Sequence, residues 1–413
     1  MIEAQEQKLE ILLEQERWNE AETIVKELLS QDPENVYYLY VLSRIFIAKK
    51  QFSDALQTVE MAIGLEPDWD QLIYLQGICL YNLDKTKLAL EALNHGLELN
   101  PQNNAIFGYI AYINFNEKNF EKALDYANKA LEIEPEDVFA LNTRSSALVK
   151  LDRQEEAFET IEGALNHDPN NDYTHANYGW GLLEKNDHKK ALEHFKEALS
   201  HQPNNAYAQA GMLEAIKATN PIYRMFLKYN FWITKQTAKY QWAFLILFVF
   251  GTRIVRNVAD TNQVLGNILY PIYYILIAFA VSTWLVNPIS NLFLRFNTYG
   301  KLLLDKKEKL SSTLVAVALG VSILSLVLFF ILNHFVFIYF VLFGVTIAIP
   351  LSSMFTDTKP KNILVYYTIG LAVLGIHVLI NLSFYNILPA VAPIYLFGFI
   401  AYQWIANYFI IKN

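Results

Sequence analysis

Five of the eight histidines fall between positions 167 and 201: His167, His175, His188, His194 and His201. A histidine cluster raises the question of a metal centre, which needs several N, S or O ligands converging on one ion. No two of these stand at i, i+4 on one helical face, and no cysteine joins them. The spacing points to a solvated face. Cys79 is the single cysteine and lies in the apolar run Ile78-Cys79-Leu80. It reads as a buried small hydrophobe, and an intramolecular disulfide is impossible. His377 is the one ionisable group central to an apolar stretch, in Gly375-Ile376-His377-Val378. Proton and ion relays use several such groups, so a lone imidazole is expected to hydrogen-bond a neighbouring helix. No nucleophile–base pair, Walker loop, dinucleotide fingerprint or metal motif stands out. The expectation is a non-enzymatic protein without cofactor or metal.

The elements that carry these residues announce themselves by period. Prolines recur at 33, 67, 101, 135, 169 and 203, and alanines at 21, 55, 89, 123, 157 and 191, each series stepping by 34. A 34-residue period is that of a two-helix solenoid unit. Proline cannot continue a helix, so it falls where one has ended and the next begins. Small residues such as the alanine series, Gly77, Ala111 and Gly179 let paired helices approach closely.

Residues 2–205 resemble the tetratricopeptide repeat family. The last copy carries the pattern best: Tyr178, Gly179 and Leu182 on the first helix, Ala191, Phe195 and Ala198 on the second, Pro203 in the turn. The third offers Gly77, Leu80, Ala89 and Leu93, and the fourth Ile110, Ala111, Ala123 and Ala130. The first departs, with Gln5, Lys8 and Leu9 in the first-helix positions, as a terminal cap can. Residues 206–218 read as a further capping helix. The resemblance implies that first helices line a concave groove. The groove would present Tyr37, Tyr40, Arg44, Tyr74, Tyr81, Tyr109, Tyr112, Phe139, Asn142, Tyr173, Asn177 and Trp180. With Arg44 its one basic residue, it suits a peptide or helix with apolar anchors better than a C-terminal carboxylate. About half of these aromatics are expected to pack between repeats instead.

Charge divides the chain. Residues 1–216 carry 18 Lys+Arg and 37 Asp+Glu, whereas residues 217–413 carry 15 and 4. The acidic half argues against nucleic acid. The N-terminal Met1-Ile2-Glu3-Ala4-Gln5 lacks a basic region and an apolar stretch, so no signal peptide is expected. Six apolar stretches follow residue 239, at about 240–255, 264–286, 313–332, 335–351, 363–382 and 387–411. Roughly 20 residues span a bilayer. With both termini cytoplasmic, six spans place 13 Lys+Arg inside against Arg253 and Arg256 outside, which satisfies the positive-inside bias. The outer loops are too short and too poor in acidic residues for a glycosyltransferase site. Gly370, Ala372 and Gly375 are expected to let spans pack closely.

A second, smaller repeat flanks the first hairpin. Asn220-Pro221-Ile222-Tyr223-Arg224-Met225-Phe226-Leu227-Lys228-Tyr229 matches Asn287-Pro288-Ile289-Ser290-Asn291-Leu292-Phe293-Leu294-Arg295-Phe296 at five of ten positions. Each proline suits the first turn of a helix. Arg224, Lys228, Lys235 and Lys239 fall within about a 60° arc at 100° per residue. Residues 219–239 and the segment 287–312, with Arg295 and Lys301, are expected to lie on the inner leaflet, basic side toward anionic headgroups.

The expected architecture is therefore all-α: a superhelical solenoid of about six repeats, then a six-helix transmembrane domain. The expected role is an adaptor that brings a protein partner to an integral membrane complex, with a bacterial inner membrane the best fit. The alternative is a transporter, channel or lipid-handling subunit regulated by the repeats.

Overall fold

The structure is a computed structural model and describes residues 2–412 apart from 262, 298–299, 359–360 and 386. The described residues hold helices and connecting turns, in two compact units, Met1–Gly181 and Leu182–Asn413. The first unit contains α1 (Ile2–Glu14), α2 (Trp18–Gln31), α3 (Val36–Ala48), α4 (Phe52–Leu65), α5 (Asp70–Asn82), α6 (Thr86–Leu99), α7 (Asn104–Asn116), α8 (Phe120–Ile133), α9 (Val138–Lys150) and α10 (Gln154–His167). Helix α11 (Asp172–Glu184) contains the boundary. From α1 to α10 each helix packs on its neighbour in sequence, and α3, α5, α7 and α9 also touch one another in series.

Local chemistry explains why these helices start and stop. The six period-34 alanines are each 0% exposed, so the partner helix sits where a longer side chain would stand. Each first helix ends one residue before a C-cap, and the next residue takes a left-handed conformation: Glu16, Lys50, Asp84, Lys118, Asp152 and Asn186, with φ between 54° and 72°. At Lys50 the N–H donates to Ile47 O and that of Gln51 to Phe46 O, at 2.9 and 2.8 Å. This is the Schellman closure, built here on non-glycine residues. Two residues past the repeat prolines, the side chains of Asn35, Asn103, Asp137 and Asn205 cap the next helix. Asn171 accepts from the Thr174 N–H in the same way. Position 69 breaks the series: Trp69 makes no cap and packs against Tyr40 instead, ring centroids 5.0 Å apart.

The second unit contains α12 (His188–His201), α13 (Ala206–Lys217), α14 (Pro221–Lys235), α15 (Ala238–Thr261), α16 (Gln263–Leu294), α17 (Gly300–Leu303), α18 (Lys306–Leu332), α19 (Val336–Ser353), α20 (Ile363–Tyr385) and α21 (Ala392–Lys412). The change in charge between residues 216 and 217 thus lies inside the second unit. Helix α12 packs on α13, and α13 touches α16 and α17, so the end of the repeat array folds with the apolar helices. Among the described residues, five stretches are long and apolar enough to cross a membrane: Ala238–Thr261, Val264–Leu294, Lys306–Leu332, Val336–Ser353 and Ile363–Tyr385. Helix α21 has 21 residues and is interrupted by Gln403 and Asn407.

The most intimate helix pair is α18 with α19. A Cβ on Gly344 would meet Ser322 Oγ at 2.1 Å and the Ala318 carbonyl at 2.6 Å. The core of α19, α20 and α21 gathers Ile347, Leu364, Leu371, Tyr395, Tyr402 and Ala406. Within it Tyr402 Oη stands 3.0 Å from Ser353 Oγ and donates to Pro350 O at 3.2 Å. Of the glycines expected at close contacts, Gly375 faces Phe343, whereas Gly370 faces open space. His377 corrects another expectation. It is exposed, and its Nε2 lies 3.2 Å from Asn381 Nδ2 of its own helix.

Candidate functional site

The first helices of the repeats bring Tyr74, Tyr81, Tyr109, Tyr112 and Phe139 into one cluster. Tyr109 is its buried centre. Its ring lies 5.9 Å from Tyr74, 6.1 Å from Tyr81, 5.7 Å from Tyr112 and 6.5 Å from Phe139. Edge-on pairs predominate around Tyr74 and Tyr81, as ring quadrupoles favour. The Tyr109 hydroxyl accepts from Asn82 Nδ2 at 3.2 Å. Burial, with Asp137 nearby, pushes the Tyr74 phenol up to about 12. Burial raises those of Tyr81 and Tyr109 too. The cluster is therefore an uncharged aromatic surface at neutral pH, suited to apolar and hydrogen-bonding contacts.

The other expected groove residues divide. Tyr37, Phe139 and Tyr173 are exposed, and Tyr40, Tyr74, Tyr81, Tyr112 and Trp180 half-buried. Arg44 is exposed and sits over the Tyr40 ring at 5.5 Å. Asn142 and Asn177 are buried, at 2% and 8% exposed. Asn142 Nδ2 donates to Thr174 Oγ1 at 2.8 Å, and Asn177 Nδ2 donates to Asn142 O and Oδ1, both at 3.1 Å. Their amides join α9 to α11 because a buried polar group needs a partner. Tyr38, absent from the expected groove, is buried and donates to Glu6 Oε1 at 2.5 Å.

The basic helix forms where the Asn-Pro signal places it. Asn220 Oδ1 accepts from the Ile222 N–H at 2.9 Å and Pro221 opens α14. Tyr223 and Leu227 are buried, whereas Ile222 and Met225 are 65% and 73% exposed on another face. Arg224, Lys228 and Lys235 share a third face by helical spacing. Lys239 does not extend that stripe, because α14 ends at Lys235 and Lys239 lies in the first turn of α15, which begins at Ala238.

The second Asn-Pro copy behaves differently. No new helix starts at Pro288, which lies inside α16. The cause is the use of Asn287: its side chain meets Tyr223 Oη at 2.8 Å instead of capping a helix. Tyr223 Oη also donates to Glu214 Oε2 at 2.6 Å, and Lys217 Nζ holds Glu214 Oε1 at 3.0 Å. Burial first, then the Glu214 carboxylate, raises the Tyr223 phenol far above its ordinary value. Arg295 is not directed outward either. Its Nη2 donates to Ser312 Oγ and Thr313 Oγ1, both at 2.8 Å, and to Lys309 O. Lys301 is exposed on α17. No group of three or more His, Cys, Asp or Glu that could hold a metal ion occurs among the described residues.

Family models for the tetratricopeptide repeat match residues 12–78, 74–138 and 173–205. Residues 12–205 carry tetratricopeptide repeats. No family is assigned to the C-terminal half. No curated protein matches the sequence. Among solved structures, a tetratricopeptide repeat protein from Parabacteroides merdae is 17% identical; the match covers 51% of this chain and 82% of that one, with TM-score 0.45. PilF of Pseudomonas aeruginosa is 13% identical, with 49% and 90% coverage and TM-score 0.39. YrrB, described as a tetratricopeptide protein with an unusual peptide-binding site, is 19% identical, with 45% and 96% coverage and TM-score 0.33. The tetratricopeptide repeats of this chain form a protein-binding scaffold domain.

Proposed function

We propose that the chain is a non-catalytic, membrane-anchored scaffold whose tetratricopeptide groove recruits a protein partner to a membrane complex. The observation that carries this reading is the neutral aromatic surface of Tyr74, Tyr81, Tyr112 and Phe139 around Tyr109. Tyr and Phe provide large contact area at little loss of side-chain freedom, and such residues dominate binding energy when they anchor a partner. The anchor is the second unit, with α15, α16, α18, α19 and α20 as spans and α21 as a sixth. Both termini then face the cytoplasm of a bacterial cell, and the Lys+Arg distribution obeys the positive-inside bias. Helix α14 lies on the inner leaflet, with Ile222 and Met225 toward acyl chains and its lysines toward headgroups.

The test is affinity purification with crosslinking from native membranes, comparing the full chain with Tyr74→Ala/Tyr112→Ala/Trp180→Ala. Loss of one stoichiometric subunit from a variant that still folds and fractionates with membranes supports the scaffold. Unchanged recovery of every subunit rejects the groove.

A second reading, lipid handling, has one observation in its favour. A cavity of about 250 Å³ opens between α14, α15, α16 and α21, lined by Tyr229, Phe244, Phe248, Phe279 and Trp284 with Asn230 and Asn407. Its apolar wall with a few amides suits one acyl chain. Lipid retained by the purified protein and lost when Ala280→Trp fills the cavity would favour it.

A further inference from the structure

The turn between α4 and α5 departs from its counterparts. At the equivalent turns of the first unit, Asn35, Asn103, Asp137 and Asn171 each accept a backbone N–H of the next helix. Trp69 stands in that position and accepts none. Giving up such a cap costs about 1 kcal/mol, and a local rule broken in this way marks a residue kept for another purpose. The contact with the Tyr40 ring orients the indole but leaves it half-buried. With Tyr37 and Leu65 it walls an open cleft of about 640 Å³. Tyr37 and Leu65 are 48% and 43% exposed. Glu66 and Asp68 line the same cleft, and no Lys or Arg does. Among the described residues, neither carboxylate is taken up by an ion pair or a side-chain hydrogen bond.

Charge selects what the cleft can receive. Turns between repeats recur on one edge of such a solenoid and turns within repeats on the other. The turns between repeats, at 32–37, 66–71, 100–105, 134–139 and 168–173, hold ten Asp+Glu and no Lys or Arg. Those within repeats, at 15–20, 49–54, 83–88, 117–122 and 151–156, hold nine Asp+Glu and eight Lys+Arg. The edge that carries the cleft therefore draws cations and repels anions. Carboxylates near helix N-termini stabilise those helices, which accounts for acids at this edge. It does not account for an exposed tyrosine, an exposed leucine and an uncapping tryptophan set beside them.

We propose that this cleft receives an arginine side chain of the protein partner. Its methylenes lie against Leu65, and its guanidinium stacks on the Tyr37 and Trp69 rings within reach of Glu66 and Asp68. A planar guanidinium stacks on aromatic faces and pairs with carboxylates as a fork, whereas an ammonium is a strongly hydrated point charge. The neighbouring Arg44 shows the same pairing, its guanidinium over the Tyr40 ring at 5.5 Å. That the occupant belongs to a protein rests on the scaffold reading. The cleft itself contains none of Tyr74, Tyr109 and Tyr112.

The test is fluorine NMR of the full chain in detergent micelles, labelled with 5-fluorotryptophan, with the Trp69 resonance identified by its loss in Trp69→Phe. The probes are N-acetyl-arginine amide, the uncharged isostere N-acetyl-citrulline amide, N-acetyl-lysine amide and free arginine. The blocked arginine should move the Trp69 resonance saturably at millimolar concentration. The citrulline compound should bind about tenfold more weakly, and the lysine compound should also be weaker. Glu66→Gln and Asp68→Asn should each lower affinity about two- to fivefold, the range of an exposed ion pair. Both side chains are exposed, so the variants keep the fold. The proposal is overturned by no saturable response, by equal or tighter binding of the citrulline or lysine compound, or by unchanged affinity in the Glu66→Gln/Asp68→Asn double variant. Free arginine binding more tightly than the blocked form also overturns it, since the occupant would then be an amino acid. Purification of Tyr74→Ala/Tyr112→Ala/Trp180→Ala is read separately. A subunit lost there with no Trp69 response defeats the arginine cleft alone, and a Trp69 response with no subunit lost defeats the groove alone.

Discussion

Gly211 of α13 leaves no room for a side chain beside Phe195 of α12: a Cβ there would stand 2.2 Å from the Phe195 ring. Phe195 is itself 0% exposed and cannot swing away. This contact seats α13 on the last tetratricopeptide repeat. Gly211→Ala should therefore destabilise the second unit by roughly 1–3 kcal/mol, the cost of overpacking a core. Gly163 of α10 has nothing within 4 Å of its would-be Cβ. There alanine should stabilise by about 0.5–1 kcal/mol, the helix-propensity difference. Thermal unfolding followed by circular dichroism should give shifts of opposite sign.

The left-handed turn residues predict a gain. Lys50 and Asp84 hold φ of 59° and 60°, a conformation that costs a non-glycine residue roughly 1–2 kcal/mol. Lys50→Gly and Asp84→Gly should each raise stability by up to about 1 kcal/mol after the added freedom of the unfolded chain is subtracted. Gln51→Gly, at φ −90°, should lower it. Chemical denaturation of the three variants checks the order.

Asn177 separates structure from recognition. Removing its side chain leaves Asn142 and Ser146 short of a partner, at a cost of about 1–3 kcal/mol. Asn177→Ala should lower the unfolding midpoint yet keep the partner captured by the intact groove. Tyr112→Ala should do the reverse. Parallel melting and pull-down measurements decide between these outcomes.

Glu22 predicts a pH dependence. Hydrogen bonds from Lys26 and then Lys49, at 2.6 and 2.5 Å, hold its carboxyl below the ordinary 4.5. A folded-state value below the unfolded one means that the unfolded chain binds more protons between the two. The contribution is present above about pH 4.5 and is lost as pH falls through the lowered value. It should amount to at most about 1 kcal/mol, since the pair is near the surface. The stability gap between wild type and Glu22→Gln should shrink as denaturation is moved from pH 7 toward pH 3. A constant gap would show that the ion pairs contribute nothing to α2–α3 packing.

Much of the repeat architecture was legible because it is periodic. Proline and alanine report one local event each, a helix end and a close contact, and a 34-residue spacing repeats both. The caps at Asn35, Asn103, Asp137, Asn171 and Asn205 stand two residues past five of the six prolines, and they emerge only with the helix starts they close. The left-handed turns were not legible, since Glu, Lys, Asp and Asn occupy them with no shared side-chain type. Among the groove aromatics, spacing could place Tyr109 and Tyr112 on one helix but could not say that Tyr109 is the buried centre. Burial depends on rings from α5 and α9, distant in sequence.

The same division holds at the second repeat. Asn220-Pro221 and Asn287-Pro288 are the same local signal, and read along the chain either could open a helix. Packing is what makes one do so and the other not. Asn220 is left to cap α14, whereas the Asn287 amide is taken up by Tyr223, which is brought to it by packing of α13 and α14 against α16. That Asp305, Glu308, Asp357 and Asn291 line one cavity has the same origin. Composition and period act along the chain, over a few residues at a time. A buried hydrogen bond or a shared cavity is set by elements far apart in sequence, and exists only once they have packed.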